Sequence, residues 1–333
     1  MKTKIIKINP SNPEPAKIKI AADIIKKGGL VVFPTETVYG LGADGLNKKA
    51  IKKIFNAKGR PQDNPLIMHI AEIKQLDSLV LEIPLKAKRL ISRYWPGPLT
   101  LILKKSRLVS GLVTSGLDTV AVRMPKNKIA IELIKKSKCP IVAPSANISG
   151  RPSPTKASHT IDDLFGKVEA IIEGGKTSIG IESTVLDLSG KEPIILRPGM
   201  ISRKQIQKTI GVVKIYNKTE INQAAKSPGI KYIHYCPKAK VILVMSKSYK
   251  KKIEKLLINL NVGVIRTNRQ NKYKADSIFV GSNAKSVAKN LFSAYRKFDK
   301  MGKEIIIVEP IGKTHEWEAV KNRLIKSASK IIN

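Results

Sequence analysis

Apolar residues in the first half of the chain follow two alternating patterns. Short apolar runs such as Leu30–Phe33 have the length of buried strands, whereas the isoleucines after Pro15 fall on one helical face that Gly28-Gly29 ends. The same reasoning predicts strands at Ile5–Ile8, Pro65–Ile70, Leu99–Leu103, Val120–Arg123, Ile141–Ala143, Ala170–Ile172, Ser183–Leu188 and Ile194–Leu196. It predicts helices at Asn47–Ala57, Leu85–Tyr94, Lys126–Lys136, Lys156–Leu164 and Arg203–Thr209, with a loop over residues 34–45. This alternation predicts an α/β fold with a large mixed sheet.

The pattern weakens between Gly211 and Lys238, where proline and glycine interrupt a stretch without a clear period. Beyond it the alternation resumes, with strands at Val241–Met245, Val262–Arg266, Ser277–Val280 and Glu304–Val308, and helices at Ser248–Leu257, Ala284–Lys300 and His315–Ile331. A chain of 333 residues is long for one hydrophobic core. The sequence therefore predicts a domain over residues 1–210, a linker or lid over 211–238 and a smaller Rossmann-like α/β domain over 239–333.

Net charge is the unusual feature of the composition. The chain carries 62 Lys and Arg against 25 Asp and Glu, a formal charge of +37. Such a field attracts anions. The lysines, however, are spread over nearly every predicted helix, which is typical of solvated faces rather than of one binding patch.

The two cysteines, Cys139 and Cys236, lie far apart and form no CxxC pair. A disulfide framework and a zinc site are therefore not expected, and both cysteines fit reduced thiols in a cytoplasmic protein. The N-terminal residues lack the apolar core of a signal peptide, and no apolar run reaches the length of about 18 residues that spans a membrane. We expect no membrane association.

Two phosphate-binding patterns occur in the sequence without their required context. Gly40-Leu-Gly-Ala-Asp-Gly45 matches GxGxxG, but six residues separate it from the preceding strand, which disfavours a nicotinamide site. Gly175-Lys-Thr and Gly312-Lys-Thr resemble the end of a P-loop, but Ala170 and Ile307 occupy the position of the first glycine. None of the four histidines has metal-ligand spacing.

Polar and cationic residues instead cluster in short segments at strand ends, where α/β sheets place their ligands. These segments are Pro34–Gly40, Lys58–His69, Ala121–Pro125, Ala143–Ser153, Ile181–Val185 and Leu196–Gly199. Any one of them is a weak signal, because a turn, a helix cap or a solvated arginine has the same appearance.

Their number and order change the interpretation. Lys58-Gly-Arg60, Ser145-Ala-Asn147, the run Pro-Thr-Glu-Thr-Val-Tyr-Gly-Leu and the segment Ser227-Pro-Gly-Ile-Lys-Tyr-Ile-His-Tyr-Cys-Pro237 together resemble the long, two-domain form of the YrdC-like threonylcarbamoyl-AMP synthases. The resemblance implies a twisted mixed sheet with a deep basic cavity. It implies that ATP, L-threonine and bicarbonate meet there to form threonylcarbamoyl-AMP and pyrophosphate. A downstream tRNA threonylcarbamoyltransferase would then take the product for tRNA modification.

The resemblance also implies individual roles. Threonine contacts would be Thr37, His69, Arg123, Ser183 and the backbone at Ala143. ATP contacts would be Lys58, Arg60, Asn64, Thr119, Ser145, Asn147, Ser153, Arg197 and Tyr235, with Lys58 and Arg60 as the catalytic pair. This chemistry needs no protein nucleophile, because the carbamate itself attacks the α-phosphorus, so the protein has to position reactants and neutralise phosphate charge. The fork of an arginine and the point charge of a lysine both suit that task.

Two components of the reaction stay open in the sequence. Mg²⁺ is expected with the triphosphate, but no protein ligand can be assigned, and Glu36 and Glu182 are only candidates. The proton of the threonine ammonium could go to His69 or to substrate or solvent.

The aromatic residues of the linker favour a segment that folds over the cavity mouth rather than a passive tether. A non-enzymatic alternative is a module that binds double-stranded RNA or tRNA through phosphate contacts, and weak non-specific RNA binding is compatible with either function. YrdC-like modules fused to acylphosphatase-like or zinc-finger segments are a third class, which the two cysteines and the limited length disfavour.

Overall fold

The computed structural model describes residues 1–216, 234–257 and 261–333. Its larger sheet contains β1 (Lys4–Lys7), β2 (Val31–Phe33), β3 (Gly40–Asp44), β4 (Ile67–His69), β5 (Leu99–Lys104), β6 (Thr119–Arg123), β7 (Ile141–Val142), β8 (Ala170–Glu173), β9 (Thr184–Asp187), β10 (Ile194–Arg197) and β11 (Lys214–Ile215). The described strands lie in the order β1-β8-β2-β3-β7-β4-β6-β5-β9-β10-β11, with both parallel and antiparallel neighbours. The predicted large mixed sheet is thereby confirmed.

Helices cover this sheet and explain its buried apolar faces. They are α1 (Pro15–Lys26), α2 (Lys48–Lys58), α3 (Lys74–Leu79), α4 (Leu85–Tyr94), α5 (Gly111–Thr114), α6 (Lys128–Ser137), α7 (Ala157–Leu164) and α8 (Arg203–Ile210). Helix α2 shows how sequence fixes its ends: the Asn47 side chain accepts from the first-turn N–H groups, and Gly59, at φ 58°, closes the helix. This end places Lys58 on the last turn and Arg60 just beyond it.

The C-terminal sheet is smaller and parallel throughout its described strands. It contains β12 (Lys240–Val244), β13 (Val262–Arg266), β14 (Asp276–Phe279), β15 (Ile305–Val308) and β16 (Ala328–Ile332), in the order β14-β13-β15-β12-β16. Its helices are α9 (Tyr249–Leu256), α10 (Ala284–Lys300) and α11 (Glu318–Ser327), the last preceded by a 3-10 turn at His315–Trp317. The expected Rossmann-like α/β arrangement is present.

The loop prediction for residues 34–45 is wrong from Gly40 onwards. Gly40–Asp44 form β3, which lies between β2 and β7 in the middle of the sheet. A Cβ added at Gly42 would lie 2.7 Å from the ring of Phe33, so this position has room only for glycine. Where close packing requires glycine, the alternation of apolar and polar side chains that identifies a strand is lost. Strand β3 was missed for this reason.

The predicted final helix is also too long. It ends at Ser327, and Ala328–Ile332 form β16 against β12. Pairing with a neighbouring strand overrides the helical pattern here, which is a tertiary effect invisible to local sequence. In addition, Lys214–Ile215, placed in the linker by sequence, pair with β10 as β11. The domain boundaries themselves stay predictions.

Two buried arginines of the C-terminal part hold it against the first sheet. Arg296 on α10 donates to Asp163 Oδ2 (2.7 Å) and to the Pro152 carbonyl (2.6 Å). Arg323 on α11 donates to Glu182 Oε2 (3.0 Å). Removal of one member of a buried ion pair leaves a charge without compensation, so loss of either arginine is expected to destabilise this arrangement.

Among the residues that the model describes, no helix combines the length and the apolar character needed to cross a membrane. Both cysteines are free thiols.

Candidate active site

A small cavity lies on one face of the larger sheet, beneath residues 234–235. Side chains or backbone atoms of Thr35, Thr37, Val38, Gly40, Arg60, Ile67, His69, Arg123, Ala143, Pro144, Ser145, Glu182, Ser183, Arg197, His234 and Tyr235 line it. Nine of the predicted site residues are in this set, although they come from seven separate segments. The free volume is about 60 Å³.

Strand register explains why these residues meet. His69 and Arg123 are paired across the parallel strands β4 and β6, so both side chains reach the same end of the sheet. Ser183 immediately precedes β9, and Arg197 ends β10 and pairs with Val185. Four distant segments therefore place polar groups at one end of four strands.

Arg123 lies at the centre of the expected threonine side. Its Nη1 donates to Thr37 Oγ1 (2.9 Å), and its Nε donates to the Gly97 carbonyl (3.2 Å). Its Nη2 forms an ion pair with Glu36 Oε1 at 2.6 Å, although the angle falls outside hydrogen-bond geometry. The guanidinium is thus fixed in orientation, and its fork suits a carboxylate.

His69 is a neutral, buried ring. Its Nδ1 lies 3.2 Å from the Ile67 carbonyl oxygen, which can only accept, so Nδ1 carries the proton. Desolvation, followed by the charge of Arg123, lowers the pKa of His69 to about 3. At neutral pH in this state the imidazole is uncharged and a poor proton acceptor.

Arg197 links the threonine side to the expected ATP side. It donates from Nε to the Ser183 carbonyl (3.1 Å) and from Nη2 to Ser183 Oγ (3.2 Å). Ser183 Oγ lies 2.7 Å from Thr100 Oγ1. Desolvation lowers the pKa of Arg197, but a guanidinium stays charged in proteins, so this cation is available to an anion.

The two cations of the Lys58-Gly-Arg60 motif occupy different places. Arg60 lines the cavity, and its Nη2 donates to the carbonyls of Asn64 (3.1 Å) and Pro65 (3.0 Å). The ammonium of Lys58 instead lies 2.5 Å from the carbonyls of Ser145 and Asn147 and does not line the cavity. Desolvation, followed by Arg60, lowers the pKa of Lys58 well below its usual value. In this state Lys58 braces the Ser145-Ala-Asn147 loop.

Four other predicted ATP contacts lie outside the cavity lining: Asn64, Thr119, Asn147 and Ser153. Asn64 Nδ2 and Asn147 Oδ1 are buried and find no partner among the described residues. Thr119 is half-buried at the start of β6, where alternation puts it on the same side as Ala121 and Arg123, about 13 Å from Arg123 along the strand. Their roles toward ATP stay predictions.

Tyr235 and His234 close the cavity from the C-terminal side. Tyr235 is buried, adopts φ 70° and stacks on Phe292 with ring centroids 5.4 Å apart. The Cys236 N–H donates to the Gly150 carbonyl (2.9 Å), which anchors this end of the linker. Desolvation lowers the pKa of His234 to about 4. The predicted lid residues 227–233 lie outside the described part of the chain.

Glu182 is a cavity residue whose partners the sequence did not reveal. One carboxylate oxygen accepts from Ser153 Oγ, and the other accepts from Arg323 Nε at 3.0 Å. Desolvation raises the pKa of Glu182, but Arg323 and Arg197 outweigh it and hold the pKa below its usual value. The sequence does contain a sign that Arg323 is buried, because it lies on the apolar face of α11 between Val320 and Leu324.

The carboxylates near the cavity do not form a magnesium cage. Glu36 pairs with Arg123, and Glu182 pairs with Arg323. The described residues contain no cluster of three His, Cys, Asp or Glu side chains able to hold a metal ion.

Comparisons with known proteins address the whole chain. A family model described as "Telomere recombination" matches residues 23–199, and one described as "Threonylcarbamoyl-AMP synthase, C-terminal domain" matches residues 201–329. The threonylcarbamoyl-AMP synthase of Pyrococcus abyssi is 50% identical over 324 residues, which cover 94% of each chain. That of Bacillus subtilis is 45% identical over 323 residues, which cover 94% of this chain and 93% of the relative.

A solved structure extends the match to three dimensions. The crystal structure of P. abyssi Sua5 complexed with L-threonine superposes with a TM-score of 0.94 at 47% identity and covers 99% of both chains. Both domains are therefore matched in sequence and in fold. The resemblance drawn from the four motifs is confirmed, and the chain belongs to the Sua5/YrdC family of threonylcarbamoyl-AMP synthases, in its two-domain form.

Proposed function

We propose that this protein is a nucleotidyltransferase that makes L-threonylcarbamoyladenylate from ATP, L-threonine and bicarbonate, with release of pyrophosphate, for threonylcarbamoyladenosine modification of tRNA. One observation carries the proposal. Three buried arginines, Arg60, Arg123 and Arg197, converge on a single cavity that also contains the hydroxyls of Thr37 and Ser183. A site with this many fixed cations suits a ligand set of one carboxylate and a polyphosphate.

The chain's own residues would act by binding and orientation. Arg123 would hold the threonine carboxylate, with Thr37 and Ser183 beside it. Bicarbonate would lose its hydroxyl group as water with one proton of the threonine ammonium, and the amine would form a bond to the carbon of the resulting carbon dioxide and give its second proton to solvent. A carbamate oxygen then forms a bond to the α-phosphorus as the bond to pyrophosphate breaks. Arg60 and Arg197 would offset the charge that develops on the phosphates, which is the larger part of such catalysis.

We propose that substrate or solvent, rather than His69, accepts the ammonium proton. The imidazole is desolvated beside the cation Arg123, and its pKa of about 3 makes it a poor base at neutral pH. His69 would then act as a neutral wall of the threonine pocket.

The ATP side would extend along β6 from Arg123 towards Thr119, over the small side chain of Ala121. With His234 and Tyr235 in place the free volume is about 60 Å³, whereas ligand pockets commonly measure about 300–1,000 Å³. Residues 234–235, which help to close the cavity, would then withdraw before a nucleotide enters. Their return would exclude water and protect the labile adenylate.

Other components follow from the same chemistry. Mg²⁺ would enter with ATP and be held by phosphate and water. A tRNA threonylcarbamoyltransferase would receive the product in a transient contact. The cytoplasm suits a protein with two free thiols, and the net charge of +37 suits weak, non-specific RNA contact.

The test is pyrophosphate release from Mg·ATP with threonine and bicarbonate, against serine and against no amino acid. Threonine- and bicarbonate-dependent release is the expected result. Equal release without an amino acid would overturn the proposal. RNA binding with a steep salt dependence and no threonine-dependent release would instead favour the binding-module alternative.

A further inference from the structure

Arg323 is a C-terminal residue that bonds to Glu182, a residue lining the cavity. It lies on α11, has no exposed surface, and bonds to a carboxylate 141 positions earlier in the chain. Besides Glu182 Oε2, it donates from Nη1 to the Pro198 carbonyl (2.6 Å) and from Nη2 to the Glu182 carbonyl (3.3 Å). An arginine with this many bonded N–H groups holds its partners in one geometry.

Each of these partners touches a residue expected to bind ATP. Glu182 accepts from Ser153 Oγ through its other oxygen. Pro198 follows Arg197 directly in the chain. The guanidinium carbon of Arg323 also lies 5.5 Å from the ring centroid of Tyr235, within cation–π distance. One buried side chain thus contacts the predicted nucleotide ligand Tyr235 directly and holds the residues next to two others, Ser153 and Arg197.

Charge gives Arg323 a second effect. Glu182 lines the cavity, and a buried carboxylate without a partner would repel the phosphates of ATP. The contact with Arg323 compensates that charge and so keeps the cavity cationic.

Arg296 provides the internal comparison. It is also buried, also belongs to the C-terminal domain, and also bonds to a carboxylate of the first domain, Asp163. However, neither Arg296 nor its partners Asp163, Pro152 and His159 line the cavity, and its link to a predicted ATP contact is the peptide bond from Pro152 to Ser153. Domain docking alone therefore does not require an arginine that bonds to a cavity residue.

We propose that Arg323 is a positioning residue through which the C-terminal domain shapes the nucleotide side of the active site, by holding Glu182, the Pro198 turn and the Tyr235 ring. The proposal rests on the proposed function. It assigns the C-terminal domain a larger part in ATP binding than in threonine binding.

The test compares Arg323→Gln with Arg296→Gln, after threonine-dependent pyrophosphate release by the wild-type protein has been established. Loss of charge-assisted hydrogen bonds is expected to raise the KM for ATP about tenfold or more in Arg323→Gln. The Kd for threonine, measured by calorimetry without ATP, should rise by clearly less, because Arg123 and Thr37 are untouched and Arg323 reaches Ser183 only through the Glu182 backbone. Arg296→Gln should lower the melting temperature and raise the KM for ATP much less than Arg323→Gln does, because it leaves the cavity carboxylate Glu182 paired.

A double-mutant cycle isolates the route through Glu182. In a Glu182→Gln background, Arg323→Gln should raise the KM for ATP much less than in the wild type, because no carboxylate remains to be compensated. If Arg323→Gln does not fold, Arg323→Lys replaces it; this change keeps the charge, loses the fork, and should still raise the KM for ATP.

Three results would overturn the proposal while leaving the proposed function intact. They are an unchanged KM for ATP in a folded Arg323 variant, equal losses of ATP and threonine affinity, and an equal rise of the KM for ATP in Arg296→Gln. Absence of threonine-dependent pyrophosphate release in the wild type would instead count against the function itself.

Discussion

At the scale of single residues, cations of similar appearance in the sequence have different surroundings. Arg123 and Arg197 line the cavity, with their guanidinium groups held by threonine and serine hydroxyls and by backbone carbonyls. Lys58 lies two residues from Arg60 but bonds to carbonyls behind the cavity wall. Residue type and spacing predicted the Lys58-Gly-Arg60 motif. Only the folded structure shows that Arg60 lines the cavity whereas Lys58 bonds to backbone carbonyls outside it.

Arg123→Lys tests the carboxylate clamp. A lysine cannot reproduce the fork that bonds to Thr37 and to the Gly97 carbonyl, so the Kd for threonine should rise about tenfold or more. Calorimetry without ATP measures this value. The exposed Arg107→Lys serves as the matched control. Unchanged threonine affinity in Arg123→Lys would show that the carboxylate binds elsewhere.

Lys58→Met tests the brace. Loss of the ammonium leaves the Ser145 and Asn147 carbonyls without this donor, which should lower the free energy of unfolding by about 1–3 kcal/mol. Urea unfolding measures the change against Lys52→Met, an exposed lysine on the same helix. A Lys58→Met variant as stable as the control would contradict the bracing role.

The sequence predicted the cavity residues better than their partners. Thr37, Ser145, Ser183 and Arg197 lie in short motifs, and each lines the cavity. Arg323 belongs to no motif, and its partner lies 141 positions away. Such a contact depends on how the two domains dock. No local pattern in a single sequence reveals that docking.

At the scale of elements, the segment that closes the cavity determines access to it. Tyr235 is held in the left-handed region at φ 70° by stacking on Phe292 and by the backbone bond of the next residue, Cys236, to Gly150. A non-glycine residue adopts this conformation only where its surroundings favour it. The closed arrangement is therefore specific.

Tyr235→Ala removes the ring that closes this segment. The variant should release threonylcarbamoyl-AMP faster and lower its yield per pyrophosphate formed, because water reaches the adenylate. Rapid-quench analysis of bound and free product measures both quantities. Tyr94→Ala, which alters a tyrosine on α4 outside the cavity lining, is the control. An unchanged yield in Tyr235→Ala would remove the lid hypothesis.

Helices and strands were predicted where apolar side chains recur with a regular spacing, and they were missed where this spacing is absent. Strands β5 and β6 appear as apolar runs, and α10 as a long amphipathic pattern. Strand β3 was missed because glycines fill positions that Phe33 covers. Strand β16 was missed because it exists only through its pairing with β12.

At the scale of the whole molecule, buried neutral histidines tie stability to pH. Desolvation lowers the pKa values of His69 and His159 to about 3, below the value of 6.5 for a free histidine. Between these values the unfolded chain binds more protons than the folded one. Their contribution to stability is therefore complete above about pH 6.5 and is lost as the pH falls towards about 3.

The free energy of unfolding should thus fall between about pH 6.5 and pH 5, by up to about 1.4 kcal/mol per pH unit for each of these two histidines. His159→Gln should remove one such contribution, since glutamine can accept the Thr155 N–H without titrating. Urea unfolding over this pH range measures the slope, with the exposed His315→Gln as control. Identical slopes in wild type and His159→Gln would contradict the buried, neutral state of His159.

The central claim is that cations from distant segments converge to bring a threonine-derived carbamate against the α-phosphate of ATP. Its most direct measurement is mass spectrometry of the nucleotide formed from ¹³C-bicarbonate, threonine and Mg·ATP. The account predicts threonylcarbamoyl-AMP that carries the label, in amounts matching the pyrophosphate released, and loss of this product in Arg123→Lys at limiting threonine. Pyrophosphate release without a labelled adenylate, or a labelled adenylate formed equally well with serine, would contradict it.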